Sequence, residues 1–232
     1  MTKHILKPKC AATLLIVKAI DGKPFVLMGK RHEAHKFMPD FYVFPGGKMD
    51  RADFSHFYST SLQEREIKLM RSEKKHFTEK HANALALCAI RETQEETGLL
   101  IGVKSKAPLR KSINSAWRIF QNQQLQPNPP ALHYFARAIT PTGHIRRFDT
   151  RFFLTFAENI NNIDEMQPSS ELSDLQWVDL FSPPNIKIHD ITKQIMEDTK
   201  DCITPNMALK QCHPVTLYYS ARGRHYRKVR FS

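Results

Sequence analysis

The sequence predicts an α/β protein, a mixed sheet with helices packed on it. Three observations lead there. Short β-branched or aromatic apolar runs occur before, between and after the helical stretches. A strong turn signal joins the first two of these runs. One long segment of good helix formers, Ala82–Thr97, ends on a glycine.

Thr13–Val17 and Phe25–Met28 are the first two strands, with Asp21-Gly22 as the hairpin turn between them. The second runs into Gly29-Lys30-Arg31 and a loop from His32 to Asp40. Phe41–Phe44 is a third strand, stopped by Pro45-Gly46-Gly47, where missing side chains let the backbone approach a ligand. Ser61–Lys80 is densely charged, and Leu62, Ile67, Leu69 and Met70 are its few apolar residues. It reads as an exposed helix, broken near His76, lying outside the core sheet. Removing this insertion, about residues 54–81, is therefore expected to leave the fold intact. Ala82–Thr97 is the strongest helix, with Gly98 at its C-terminal cap, and Leu99–Val103 begins a strand.

Ile113–Leu125 is a helix around Trp117 and Phe120, ended by Pro127–Pro130. Leu132–Ile139, Thr150–Ala157 and Leu175–Val178 are strands, and Pro141-Thr-Gly143 is a turn. Ile186–Met196 is a helix. The tail, about residues 215–232, carries Arg222, Arg224, Arg227, Lys228 and Arg230 interleaved with Tyr226 and Phe231. A solvated or sheet-docked end is the preferred reading, and RNA binding is the second.

The 232 residues suit one domain with insertions. With 41% hydrophobic and 25% charged residues, disordered and fibrous classes are excluded. No apolar run reaches the ~20 residues of a membrane-spanning helix. Cys10, Cys88, Cys202 and Cys212 are scattered and form no Cys-x-x-Cys pair. That reads as reduced thiols in a cytoplasmic protein. A net charge of +12 favours polyanionic partners without choosing among nucleotides, nucleic acid and anionic surfaces.

The informative stretch is Arg91-Glu-Thr-Gln-Glu-Glu-Thr-Gly98. On a helix, Glu92, Glu95 and Glu96 fall at i, i+3 and i+4 and share one face. Like charges so placed repel, and a hard divalent cation between them relieves the repulsion. Mg²⁺ takes oxygen ligands and usually leaves positions for water and substrate phosphates. Alone, such a triplet is a solvated acidic face. Here the carboxylates crowd at a helix end, after a hairpin and a Pro-Gly-Gly turn.

Arg91 to Leu99 resembles the second half of the Nudix box: Arg-Glu, an apolar residue, any residue, Glu-Glu, any residue, Gly, an apolar residue. Thr93 stands at the apolar position. Gly47, five residues and Asp53 resemble the first half, with Asp in place of the usual Glu. The two halves are separated by the insertion. A box split in this way resembles the subgroup related to the peroxisomal coenzyme A diphosphatase. Arg31–Phe44 and Arg146–Phe153 fit the same subgroup, and Glu171 ahead of Trp177 resembles the late strand of Nudix domains in general.

The resemblance, over roughly Ala11 to Met196, implies a Nudix α/β/α sandwich and Mg²⁺- or Mn²⁺-dependent hydrolysis of a nucleoside diphosphate linked to another moiety. It implies Glu92, Glu95 and Glu96 as metal ligands together with a backbone carbonyl of Gly46 or Gly47. Arg91, Glu92 and Glu95 are the candidate catalytic groups. Arg31, Arg147 and Arg151 are the candidate substrate-binding cations, as planar donors to phosphate. Coenzyme A or a derivative is the first substrate expected. Sugar nucleotides, dinucleotides and oxidised nucleoside triphosphates are alternatives within the class. Outside it stand a nucleotide-binding regulator and an RNA-directed, decapping-like protein. The insertion is a candidate substrate-side cap or homodimer contact.

Overall fold

The computed structural model describes residues 6–32, 39–54, 60–105, 114–210, 213–221 and 223–230. Cys212, Arg222, Phe231 and part of the His32–Asp40 loop lie outside these residues. β1 (Lys9–Ile20) turns at Asp21-Gly22 into β2 (Lys23–Arg31). Both turn residues have positive φ, 49° and 74°, as a tight two-residue hairpin requires. β3 (Tyr42–Val43) and β4 (Gly46–Lys48) follow, then a short 3-10 turn at Arg51–Phe54. Next come α1 (Glu64–Arg71), α2 (Glu79–Thr97), β5 (Gly102–Lys104), α3 (Ser115–Asn122) and β6 (Leu125–Pro127). β7 (His133–Ile139), β8 (Phe148–Phe156), β9 (Leu172–Asp179) and α4 (Asp190–Cys202) lead to β10 (Val215–Ala221) and β11 (Arg224–Arg230).

The main sheet runs β11-β10-β7-β8-β1-β2-β3, with β4 also paired to β1 and β9 to β2. β1–β8 and β7–β10 are parallel and the other pairs antiparallel, so the sheet is mixed as expected. β1 lies inside the sheet and is buried on both faces, which explains its unbroken apolar run. Leu14 and Ile16 point into a core shared with α1, α2 and α3. Leu15 and Val17 point into a second core with Ile195, Met196 and Cys202 of α4. Helices on both faces make a three-layer α/β/α sandwich. Among the described residues, no helix is long and apolar enough to cross a membrane.

Two expectations are corrected. Gly46 and Gly47 do not merely stop a strand; they form one of their own, paired with Thr13 and Ala12 of β1. The insertion is not a solvated helix outside the core. Leu62, Ile67, Met70 and Phe77 are buried in the α2-side core, and the Leu62 N–H donates to Asn83 Oδ1 at 2.7 Å. Its charged residues Glu66 and Glu73 are buried too, at 1% and 2% side-chain exposure. The chain breaks after α1, and α2 starts at Glu79, where Thr78 and His81 form a capping box. The tail is sheet-docked, as a β10–β11 hairpin.

Candidate active site

α2 packs its C-terminal half against β1, β4 and the Arg51–Phe54 turn. The helix ends at Gly98, whose φ of 73° is a left-handed cap conformation that glycine adopts without strain. Arg91 is 5% exposed, and its guanidinium is held by several partners. Nε donates to Asp53 Oδ1 at 2.7 Å and Nη2 to Asp53 Oδ2 at 3.0 Å. Nη1 lies 2.8 Å from Glu92 Oε1 and 2.8 Å from Glu95 Oε2, and Nη2 reaches the Lys48 carbonyl at 3.2 Å. Burial works against the arginine charge. The hydrogen bond and charge of Asp53, with the charge of Glu92, more than reverse that, so its pKa is raised.

Glu92 and Glu96 face the glycine strand. The Gly46 N–H donates to Glu96 Oε2 at 2.7 Å. A Cβ on Gly47 would lie 2.4 Å from the Glu92 carboxyl carbon, so the missing side chain is what lets Glu92 lie against β4. Burial pushes Glu92 up to about 7, against the pull of Arg91, with Glu95 and Asp53 adding to the rise. Burial raises Glu96 as well. The Gly46 N–H and Arg31 oppose that rise, while Glu92 and Glu171 reinforce it. Thr93, at the family's apolar position, is fully buried and donates its hydroxyl to the Ala89 carbonyl at 2.8 Å, so no polar atom is left unsatisfied.

The structure thus brings Arg91, Glu92, Glu95, Glu96, Gly46 and Arg31 together. The other two expected cations make different contacts. Arg147 spends its donors on main-chain carbonyls: Thr140 and Pro141 at 3.1 Å each and Leu6 at 2.6 Å. It braces the turn before β8. Arg151 has a side-chain exposure of 1% and lies between Asp149, at 2.8 Å, and Glu73, at 3.5 Å, over the Phe77 ring. Both were expected to hold phosphate; here one is a loop brace and the other a core ion. The site residue whose role sequence reasoning left open is Asp53, fully buried beneath Arg91. Its place in the first half of the motif was the available signal. Glu171, just ahead of β9, adds to the negative field at Glu96 and was legible from its spacing to Trp177.

Among the described residues, no three Asp, Glu, His or Cys side chains converge as a ready-made metal cage. Glu95 and one oxygen of Glu92 are held by Arg91, and Glu96 by the Gly46 amide. Of the three carboxylates expected as ligands, Glu95 lies at the rim, and Glu92 and Glu96 lie deeper, half-buried and buried. Those two are oxygen donors with raised proton affinity, set beside a glycine backbone that leaves them room. That donor chemistry fits a hard divalent cation such as Mg²⁺ or Mn²⁺.

A family model described as the NUDT19 Nudix domain matches residues 9–196. Among curated proteins, the chain is 27% identical over 175 residues to the acyl-coenzyme A diphosphatase NUDT19 of Xenopus laevis. That alignment covers 56% of this chain and 46% of that protein, so the chain spans about half the length of this relative. Among solved structures, the Nudix hydrolase from Alicyclobacillus acidocaldarius superposes with a TM-score of 0.62 at 21% identity. It covers 84% of this chain and 92% of that one, which shows a common fold.

Proposed function

This chain belongs to the Nudix hydrolase family, and on that premise we propose that it cleaves a diphosphate bond in a nucleoside diphosphate joined to a second moiety, with a divalent cation held by Glu92 and Glu96. The observation that supports this most directly is the meeting of those two carboxylates with the Gly46-Gly47 backbone. Water adds across the P–O–P linkage, and two phosphate esters leave. Bound at this place, the cation supplies neutralisation of phosphoryl charge and a lowered pKa for the attacking water.

The chain's own residues do the rest. Arg91 holds Glu92 and Glu95 in register on the helix, and Asp53 fixes Arg91. The Gly46 amide orients Glu96, and Gly47 keeps the space over Glu92 open. Arg31, the expected substrate cation whose charge acts on Glu96, would be the group to meet substrate phosphate. Coenzyme A or an acyl derivative is the substrate read from the split box and from the activity named for the Xenopus relative.

The test is a panel of coenzyme A, its analogue lacking the 3′-phosphate, ADP-ribose, a dinucleotide and an oxidised nucleoside triphosphate. Each is incubated with Mg²⁺ or Mn²⁺ and again in excess chelator, and products are identified by mass. Turnover restricted to the metal-containing arms is expected, with coenzyme A cleaved fastest. Full turnover in chelator overturns the cation assignment, and preference for ADP-ribose or a triphosphate overturns coenzyme A alone.

A further inference from the structure

Residues 9–196 account for the family match, and the β10–β11 hairpin lies beyond them. From Ile203 to Ser232 the sequence contains no acidic residue. β11 is the outermost strand of the sheet, four strand steps from β1, or about 19 Å at ~4.8 Å per step. It is therefore a surface separate from the carboxylate site.

The hairpin has two unlike faces. Arg227 points to α4 and donates to Asp198 Oδ1 at 2.7 Å, and the Tyr218 hydroxyl donates to the same carboxylate. That contact pins the hairpin to the body of the protein. Side chains alternate along a strand, so Arg224, Tyr226, Lys228 and Arg230 share the opposite face, spaced about 7 Å apart. Among the described residues, no acidic side chain lies within ion-pair distance of these three cations. Between them, Tyr226 stacks on Tyr219 with ring centroids 5.1 Å apart and an interplanar angle of 17°. Tyr226 remains 40% exposed, an aromatic plane offered to solvent.

Row charges alone suit any polyanion, but a stacked aromatic plane within the row suits one whose units carry flat rings. Bases of a single strand stack on such planes while the backbone tracks the cations. Edge-to-edge pairing with a second copy is opposed, because charged residues along an edge strand disfavour self-association. We propose that the Arg224–Arg230 face of the hairpin binds single-stranded nucleic acid, with Tyr226 as the stacking platform.

The test is fluorescence anisotropy of the full chain with labelled oligouridine and oligothymidine of about twelve nucleotides, from about 50 to about 200 mM salt. The triple variant Arg224→Glu, Lys228→Glu, Arg230→Glu should weaken binding at least tenfold. The same three changed to Gln should lower the magnitude of the salt slope by about 2, from ~0.7 per phosphate contact. Should the charge reversals unfold the protein, this neutral set carries the test. Tyr226→Ala should cost about tenfold. Hydrolysis by the Gln variant should match the unaltered chain. Equal weakening per unit of charge changed by Lys23→Glu with Lys193→Glu would overturn the proposal, since only net charge would then matter. So would unchanged binding after Tyr226→Ala, or tighter binding to anionic vesicles or to duplex at matched salt.

Discussion

The Asp53 carboxylate grips the Arg91 guanidinium through two parallel hydrogen bonds, 2.7 and 3.0 Å, across a sequence separation of 38. The insertion that divides the motif in sequence leaves it whole in space, because the Arg51–Phe54 turn carries Asp53 back under α2. With Asp53 gone, Arg91 keeps Glu92 and Glu95 but loses the most deeply buried of these three anions. Asp53→Ala is expected to cost about 3–5 kcal/mol of stability, the usual penalty for stranding one member of a buried pair. Asp53→Asn keeps the shape and should cost less, while lowering kcat about 10–100-fold, since Arg91 no longer fixes the carboxylates. Urea unfolding and rates at matched folded fraction check this. An Asn variant with unaltered kcat would show the pair to be structural alone.

The two glycines of β4 should respond in different ways. A Cβ at Gly46 would sit 2.5 Å from the Ala12 carbonyl and 2.6 Å from Thr13 Cα, both fixed backbone. A Cβ at Gly47 meets the end of the Glu92 side chain, which can swing away. Gly46→Ala should therefore lower stability by about 1–3 kcal/mol through strain between β1 and β4. Gly47→Ala should leave the unfolding midpoint nearly unchanged and lower kcat on the order of 10²-fold by displacing Glu92. Equal stability losses in the two variants would show that Glu92 does not yield.

Glu73 sits in the insertion and faces Arg137, at 3.1 Å, and Arg151, at 3.5 Å, while the Tyr134 hydroxyl donates to it. Asp149 closes the network through Arg137, at 2.7 and 2.8 Å. Burial alone would raise Asp149, but Arg137 and Arg151 hold it below the usual carboxylate range. Two buried arginines thus need both acids. Glu73→Ala should cost about 3–5 kcal/mol, and excising residues 55–77 should unfold the protein, since Leu62, Ile67, Met70 and Phe77 leave the core with it. A folded excision variant with a cooperative melt would show that the sheet closes without the insertion.

These cases show what the sequence carried. α2, β1, β2, β7 and β8 were legible because apolar residues, caps and the Asp21-Gly22 turn act locally. The carboxylate face was legible because helical spacing alone places Glu92, Glu95 and Glu96. The insertion was not, because a buried Glu73 reads as solvated until its partners Arg137 and Arg151, far along the chain, are known. For the same reason the contacts of Arg147 and Arg151 were not legible, since an arginine pattern does not reveal whether carbonyls or carboxylates already hold it. β11 was hidden by its charge, because the outermost strand of the sheet needs no apolar alternation.

Acid sensitivity follows from His213. Its ring Nε2 lies 3.2 Å from Arg65 Nη1 and 3.2 Å from the Tyr134 carbonyl, and Nδ1 lies 3.3 Å from the Lys210 carbonyl. Burial and the Arg65 charge lower its pKa below the ordinary value of 6.5, with Glu66 opposing, and the His133 ring stands 6.1 Å away. A depressed pKa means the unfolded chain takes up the proton first. The stability due to neutral His213 is therefore present above about pH 6.5 and is lost as pH falls through the folded value. Asp149, lowered too, adds a second loss below its ordinary 3.8. Glu92, raised to about 7, acts in the opposite direction, since its protonation on acidification favours the fold. The wild-type curve mixes these effects, so the informative quantity is the difference in urea midpoint between the wild type and His213→Gln. That difference should narrow between pH 7.5 and pH 5, as the wild type loses what the variant never had. A constant difference across that range would mean that His213 titrates alike in the folded and unfolded chain.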